Sequence, residues 1–208
     1  MSSLGFIHVF EPGTDPAAPP LLLLHGTGGD EHNLVALGRT LSPGSALLSP
    51  RGRVSEHGAA RFFARIAEGV FDPAEVTRRT HELAVFLAAA AAHYGFDASR
   101  LTAVGISNGA NIAASLLLLR PAALGGAVLY RPMVVLDTDA APGSLASRRV
   151  LITSGARDQL VPADHPHRLA AHLRAGAATV DLHMLPDGHV LTRADVQLAQ
   201  AWFASGPR

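Results

Sequence analysis

The chain has 208 residues, in which 17 lysine plus arginine balance 17 aspartate plus glutamate, and it contains no cysteine. That length suits one α/β domain over residues 1–208, with a substantial core and no room for a large lid or second domain. The balanced charge gives no net field to gather nucleic acid or an anionic membrane, and the lack of cysteine excludes a disulfide framework and a thiolate nucleophile. Residues 1–10 lack a basic stretch followed by a long apolar one, and the apolar run at 21–24 is too short to span a bilayer. The expectation is a soluble, cytoplasmic protein.

In chain order, the first apolar β-type run covers residues 6–10 and reads as a strand, with an antiparallel edge position open to it. A proline-rich connector, 12–20, leads to a second strand at 21–25 and a third at 46–49. Residues 54–71 then form a connection to a helix on which Val76, Leu83, Phe86, Leu87 and Ala90 recur on one face, with Gly95 as its stop. Further strands fit 101–106, 127–130, 150–154 and 179–185. Helices fit 111–119, 163–174 and 193–203, the last carrying the single tryptophan, Trp202, toward the core. Strands alternating with helices predict an α/β fold: a mainly parallel sheet with helices on both faces and no large cap domain.

Between the strand at 101–106 and the next helix stands Gly105-Ile106-Ser107-Asn108-Gly109, which fits the G-x-S-x-G nucleophile elbow. A serine on so sharp a strand-to-helix turn is forced into strained backbone angles, and the flanking glycines remove side chains that would collide there. A plain glycine-rich turn capped by serine is the competing reading. Serine is a poor nucleophile at neutral pH and needs a histidine base, itself oriented by a carboxylate. Asp158 follows the strand at 150–154 through Gly155-Ala156-Arg157, and His189 follows the strand at 179–185 through Pro186-Asp187-Gly188. Both fall at the carboxyl edge of the sheet, in the order serine, aspartate, histidine. Taken singly, Asp158 reads as a turn residue and His189 as a residue against the last helix. Asp164 and Asp187 are rival carboxylates, the first within or capping the next helix and the second too close in sequence to His189 to orient it.

Acyl transfer also needs donors for a developing oxyanion, from the amide after the nucleophile and from the loop after an early strand. Asn108 fills the first place, and Thr27, in His25-Gly26-Thr27-Gly28-Gly29-Asp30, the second. His25 reads as a structural residue whose ring shapes that turn. His165 and His167, two apart on a helix, point in different directions, so no metal site is expected. Arg51, Arg53, Arg61 and Arg65 are too sparse for a nucleic-acid surface and read as solvated. Phe62, Phe63 and Phe71 are candidates for a pocket wall near Ser107, with packing of the 54–71 segment onto the domain as the alternative.

Together these motifs resemble the carboxylesterase/phospholipase family of α/β-hydrolases, the group that includes acyl-protein thioesterases, over essentially the whole chain. Leu24 to Asp30, Gly105 to Ala110, Ser154 to Asp158 and Pro186 to His189 carry the likeness. Pro50-Arg51-Gly52, Arg61-Phe62-Phe63 and Gly69-Val70-Phe71-Asp72 resemble a bacterial subgroup associated with hydroquinone-related detoxification. The resemblance implies hydrolysis of small carboxylic esters through an acyl-enzyme intermediate, with no cofactor. The thioesterase branch has glutamine after the nucleophile and a second glycine after the elbow. This chain has Asn108 and Ala110 there, which sets it apart from enzymes of lipidated proteins. A lactone or thioester hydrolase using the same residues, and a non-catalytic ligand-binding protein on this scaffold, remain alternatives. The expected partner is a small ester substrate, with no nucleic acid and no membrane span, and a homodimer is an assembly open to the chain.

Overall fold

A computed structural model describes residues 4–206. Its centre is a seven-stranded sheet of β1 (His8–Glu11), β2 (Leu21–Leu24), β3 (Leu47–Pro50), β6 (Thr102–Ile106), β7 (Gly126–Tyr130), β8 (Arg149–Gly155) and β9 (Thr179–Leu185). The spatial order is β1-β3-β2-β6-β7-β8-β9. Only β1 runs antiparallel, against β3, with His8 opposite Pro50 and Glu11 opposite Leu47. The other pairings are parallel. The expected edge strand is thus present, displaced by one or two residues. A separate hairpin joins β4 (Val54–Glu56) to β5 (Ala59–Arg61). Its two loop residues, His57 and Gly58, both have positive φ, 51° and 87°, as a two-residue hairpin turn that follows the strand twist requires.

Alternation along the strands divides the interior into two cores. Leu22 and Leu24 of β2, Ala103 of β6 and Leu129 of β7 face one, while Leu21, Leu23, Val104, Val128 and Tyr130 face the other. The helices α2 (Pro73–Tyr94), α3 (Asn108–Leu119) and α4 (His165–Ala175) cover the first face. Helices α1 (Val35–Leu41) and α5 (Arg193–Ala204) cover the second, where Trp202 is buried. Strands buried on both sides need no polar face, which is why β2 reads Leu-Leu-Leu-Leu with all four residues fully enclosed.

Helix α2 shows how local chemistry sets the boundaries. The Asp72 carboxylate accepts the Ala74 N–H at 2.9 Å, Pro73 occupies the first turn, and Gly95 ends the helix at φ 75° while its N–H returns to the Ala91 carbonyl at 2.9 Å. Helix α3 begins at Asn108, three residues before the predicted start, so the serine immediately precedes its first turn. The sequence reading contained neither α1 nor the β4–β5 hairpin. Among the described residues no helix is long and apolar enough to cross a membrane.

Candidate active site

Because β2, β3 and β6–β9 all run the same way, the connections that follow them share one edge of the sheet. Ser107 stands at the middle of that edge with φ 51° and ψ −116°, a conformation that L residues seldom adopt. Its N–H donates to the Tyr130 carbonyl at 2.9 Å, and its own carbonyl accepts the Asn111 N–H at 2.9 Å, so the elbow is tied to β7 on one side and α3 on the other. The neighbouring glycines answer to close packing. A Cβ on Gly105 would lie 2.6 Å from the Gly109 carbonyl oxygen and 2.7 Å from the Ala110 nitrogen, and one on Gly109 would collide with the Leu24 carbonyl. Strand β6 and helix α3 therefore meet with no side chain between them, and α3 rests directly on the end of β2.

His189 reaches this serine from the connection after β9, its Nε2 lying 3.0 Å from Ser107 Oγ. Its Nδ1 lies 2.8 Å from Asp158 Oδ2. The other Asp158 oxygen, Oδ1, accepts the N–H groups of Leu160 at 2.8 Å and Val161 at 3.2 Å, so the carboxylate is held from both ends. Its side chain is closed to solvent, whereas the His189 ring remains 25% exposed at the cleft. Gly155 permits this approach, since a Cβ there would collide with the Asp187 and Gly188 carbonyls. Ala156 N–H donates to the Leu185 carbonyl at 2.7 Å, and Arg157 N–H to that of Asp187 at 3.0 Å, drawing the two connections together. The rival carboxylates lie elsewhere: Asp164 is exposed and paired with Arg168, and Asp187 Oδ2 is 3.5 Å from the Thr192 hydroxyl oxygen.

Thr27 and Asn108 line the same cleft as Ser107 and His189. The register explains their proximity. Leu24 pairs with Gly105, so Thr27 and Asn108 each follow three residues beyond a matched pair on adjacent strands. Hairpin strand β5 braces both. Ala60 accepts the Gly28 N–H at 2.9 Å, Arg61 Nη1 donates to Thr27 Oγ1 at 2.5 Å, and the Phe62 N–H donates to the Asn108 side-chain oxygen at 2.7 Å. Arg61, read from the sequence as solvated, is 3% exposed. Burial pulls its guanidinium below the usual arginine range against the opposing pull of Glu56, 3.3 Å away.

His25 shapes the loop that carries Thr27. Its Nε2 accepts the Gly52 N–H at 2.9 Å, which leaves Nδ1 as the donor to the Gly26 carbonyl at 2.7 Å. Burial lowers the His25 pKa, favouring the neutral ring that this pair of bonds requires. The three phenylalanines separate. Phe71 lines the cleft, while Phe62 and Phe63 lie in the core behind it, Phe62 against the His25 ring and Phe63 edge-on to Phe71. Packing of the segment thus describes Phe62 and Phe63, and lining describes only Phe71.

The cleft encloses about 500 Å³. Thr27, Arg61, Arg65, Glu68 and Phe71 come from the β2–β5 side, and Met133, Leu160 and Val190 from the side of β7–β9, so the first wall is mixed in character and the second apolar. Among the described residues no three histidine, aspartate or glutamate side chains are gathered for a metal ion, and His165 Nδ1 is instead 3.2 Å from the Val134 N–H.

A mostly parallel sheet of this topology, with its elbow serine at the carboxyl edge, defines an α/β-hydrolase fold. No family model matches the chain. It is 42% identical over 196 residues to the "Putative hydrolase MhqD" of Bacillus subtilis (strain 168), covering 94% of this chain and 96% of that one. The crystal structure of a Bacillus cereus carboxylesterase superposes with a TM-score of 0.94 at 42% identity, over 98% of this chain and 96% of the other. A carboxylesterase from Mesorhizobium loti gives a TM-score of 0.89 at 34% identity, over 100% and 98%. The chain belongs to the carboxylesterase/phospholipase family of α/β-hydrolases and is an esterase-type hydrolase.

Proposed function

We propose that the protein hydrolyses small carboxylic esters in two steps through an acyl-enzyme, with Ser107 as nucleophile, His189 as base and Asp158 as the group that orients it. The observation that carries this reading is the continuous chain from Ser107 Oγ through the His189 ring to Asp158, with contacts of 3.0 and 2.8 Å. Ser107 Oγ attacks the ester carbonyl as Nε2 takes its proton, and the amides of Thr27 and Asn108 hold the resulting oxyanion. The imidazolium then protonates the departing alkoxide. Water, deprotonated by the same ring, attacks the acyl-serine, and the acid leaves as Oγ regains its proton. No step calls for a metal or organic cofactor. A cleft of about 500 Å³ is of a size for small molecules, and the carboxylesterases of similar sequence support an ester as substrate.

Turnover of short-chain p-nitrophenyl esters by the wild type and Ser107→Ala tests the assignment. The variant is expected to lose on the order of 10⁴-fold or more in kcat while staying folded. Undiminished hydrolysis would remove Ser107 from the mechanism. A fluorophosphonate probe, which needs an activated serine, separates a catalyst from a pure binder: labelling confined to Ser107 supports the former, and none at all the latter.

A further inference from the structure

Arg131 is the largest fully buried side chain, at the end of β7 and outside the constellation described above. It sits at φ 54°, in the left-handed region, directly after the Tyr130 carbonyl that receives the Ser107 N–H. A guanidinium has five N–H donors, and five acceptors surround this one. Nη1 donates to Asp195 Oδ1 at 2.6 Å and Thr153 Oγ1 at 3.1 Å. Nη2 donates to Asp195 Oδ2 at 2.8 Å and the Val190 carbonyl at 3.3 Å. Nε donates to the Gly188 carbonyl at 2.9 Å. Gly188 and Val190 are the residues on either side of His189.

Asp195 is held as firmly. It accepts the Thr153 hydroxyl at 2.5 Å and, as part of the capping box of α5, the Thr192 N–H at 2.8 Å and hydroxyl at 2.9 Å. Its burial alone would raise its carboxyl pKa, but the Arg131, Thr153 and Thr192 hydrogen bonds outweigh that and keep it below the usual aspartate range, so the pair is ionised. An ion pair with both side chains wholly excluded from water is a poor device for stability, because apolar residues of the same volume often serve as well or better. What apolar residues cannot do is grip two carbonyls in a fixed plane.

We infer that Arg131 is a positioning residue for the esterase reaction: anchored by Asp195 and Thr153, it holds the backbone on both sides of His189 and so sets the imidazole within reach of Ser107. The inference rests on the proposed roles of Ser107 and His189. One residue thereby joins the nucleophile's anchor, through the Tyr130 carbonyl, to the base's loop. Misplacement of a base by about 1 Å is enough to cost on the order of 10²-fold in rate.

Arg131→Lys separates the two jobs of this side chain, since lysine keeps the positive charge for Asp195 but is a point charge on a flexible stem and cannot hold both carbonyls. The expected result is a folded protein whose kcat falls about 10- to 100-fold with KM little changed. In proton NMR the downfield Nδ1–H resonance of His189, assigned by its absence in His189→Gln, should shift or broaden. Leu87→Ala, a core variant in α2 on the opposite side of the sheet from α5, controls for lost stability and should keep wild-type kcat per folded molecule and an unmoved resonance. Wild-type kcat together with an unmoved resonance in Arg131→Lys overturns the inference. If Ser107→Ala hydrolyses esters like the wild type, the proposed function fails, and the His189 resonance by itself still decides whether Arg131 positions that ring.

Discussion

The backbone strain at Ser107 can be measured by comparing two variants that both lack the hydroxyl, Ser107→Ala and Ser107→Gly. Each loses the 3.0 Å contact to His189 Nε2, so that loss cancels between them. What differs is the Cβ at φ 51° and ψ −116°. A side chain held in so sparsely populated a region costs about 1–3 kcal/mol. Glycine relieves that cost but gives the unfolded chain extra freedom worth about 0.4–1 kcal/mol in the opposite direction. Ser107→Gly is therefore expected to be more stable than Ser107→Ala by about 1 kcal/mol, or roughly 2–4 °C in Tm for a domain of this size. Both variants should be inactive. Equilibrium urea unfolding reads the difference as a shift in midpoint at constant slope, since the surface exposed on unfolding is nearly the same. An alanine variant as stable as the glycine variant, or more so, would show that the elbow stores no strain in this protein.

Asp158→Asn should fold, because Leu160 and Val161 still find an acceptor, yet lose on the order of 10⁴-fold in kcat as the amide favours the wrong His189 tautomer; a loss under tenfold in steady-state kinetics would contradict the role given to it. Gly109→Ala places a methyl group against the Leu24 carbonyl, so α3 must lift from β2 at a cost of about 1–3 kcal/mol, with a drop in activity although every reacting group is retained. Unchanged midpoint and kcat would count against the close packing described. The lowered pKa of His25 means that, as pH falls below about 6.5, the unfolded chain takes up a proton there before the folded one does. Its contribution to stability is present above that pH and is lost as pH falls toward the folded-state value. Between pH 7.5 and 5.5 the wild type should lose more unfolding free energy than His25→Gln, and equal losses would rule out this source of acid sensitivity.

The parts of the fold that were legible in the sequence are those written in local pattern. The β2 run, the α2 periodicity ending at Gly95, and the strand-turn-helix setting of Ser107 each follow from residues close together in the chain. The position of Asp158 and His189 on one edge is legible because each follows a recognisable strand, and strand ends of a parallel sheet share an edge. Helix α1 escaped because it is seven residues long, with no side-chain cap at its start. The β4–β5 hairpin escaped because Ser-Glu-His-Gly-Ala-Ala-Arg is poor in β-branched residues and turns at His57-Gly58, not at an Asn-Gly or Asp-Gly pair. The interior arginines were beyond reach for a different reason. Arg61 is enclosed by the Thr27 loop and Arg131 by Asp195, partners 34 and 64 residues away in sequence, and nothing local distinguishes them from solvated arginines.

The walls of the cleft come from five separate connections, around Thr27, Arg61 to Phe71, Met133, Leu160 and Val190, whereas the elbow is fixed by glycines wedged against backbone. Exposed side chains on those connections can therefore be exchanged, retuning the shape of the cleft, while the glycine contacts that place Ser107 stay as they are. The apolar wall, with Val190 and Leu160 already open to solvent, is the natural first target for such exchange.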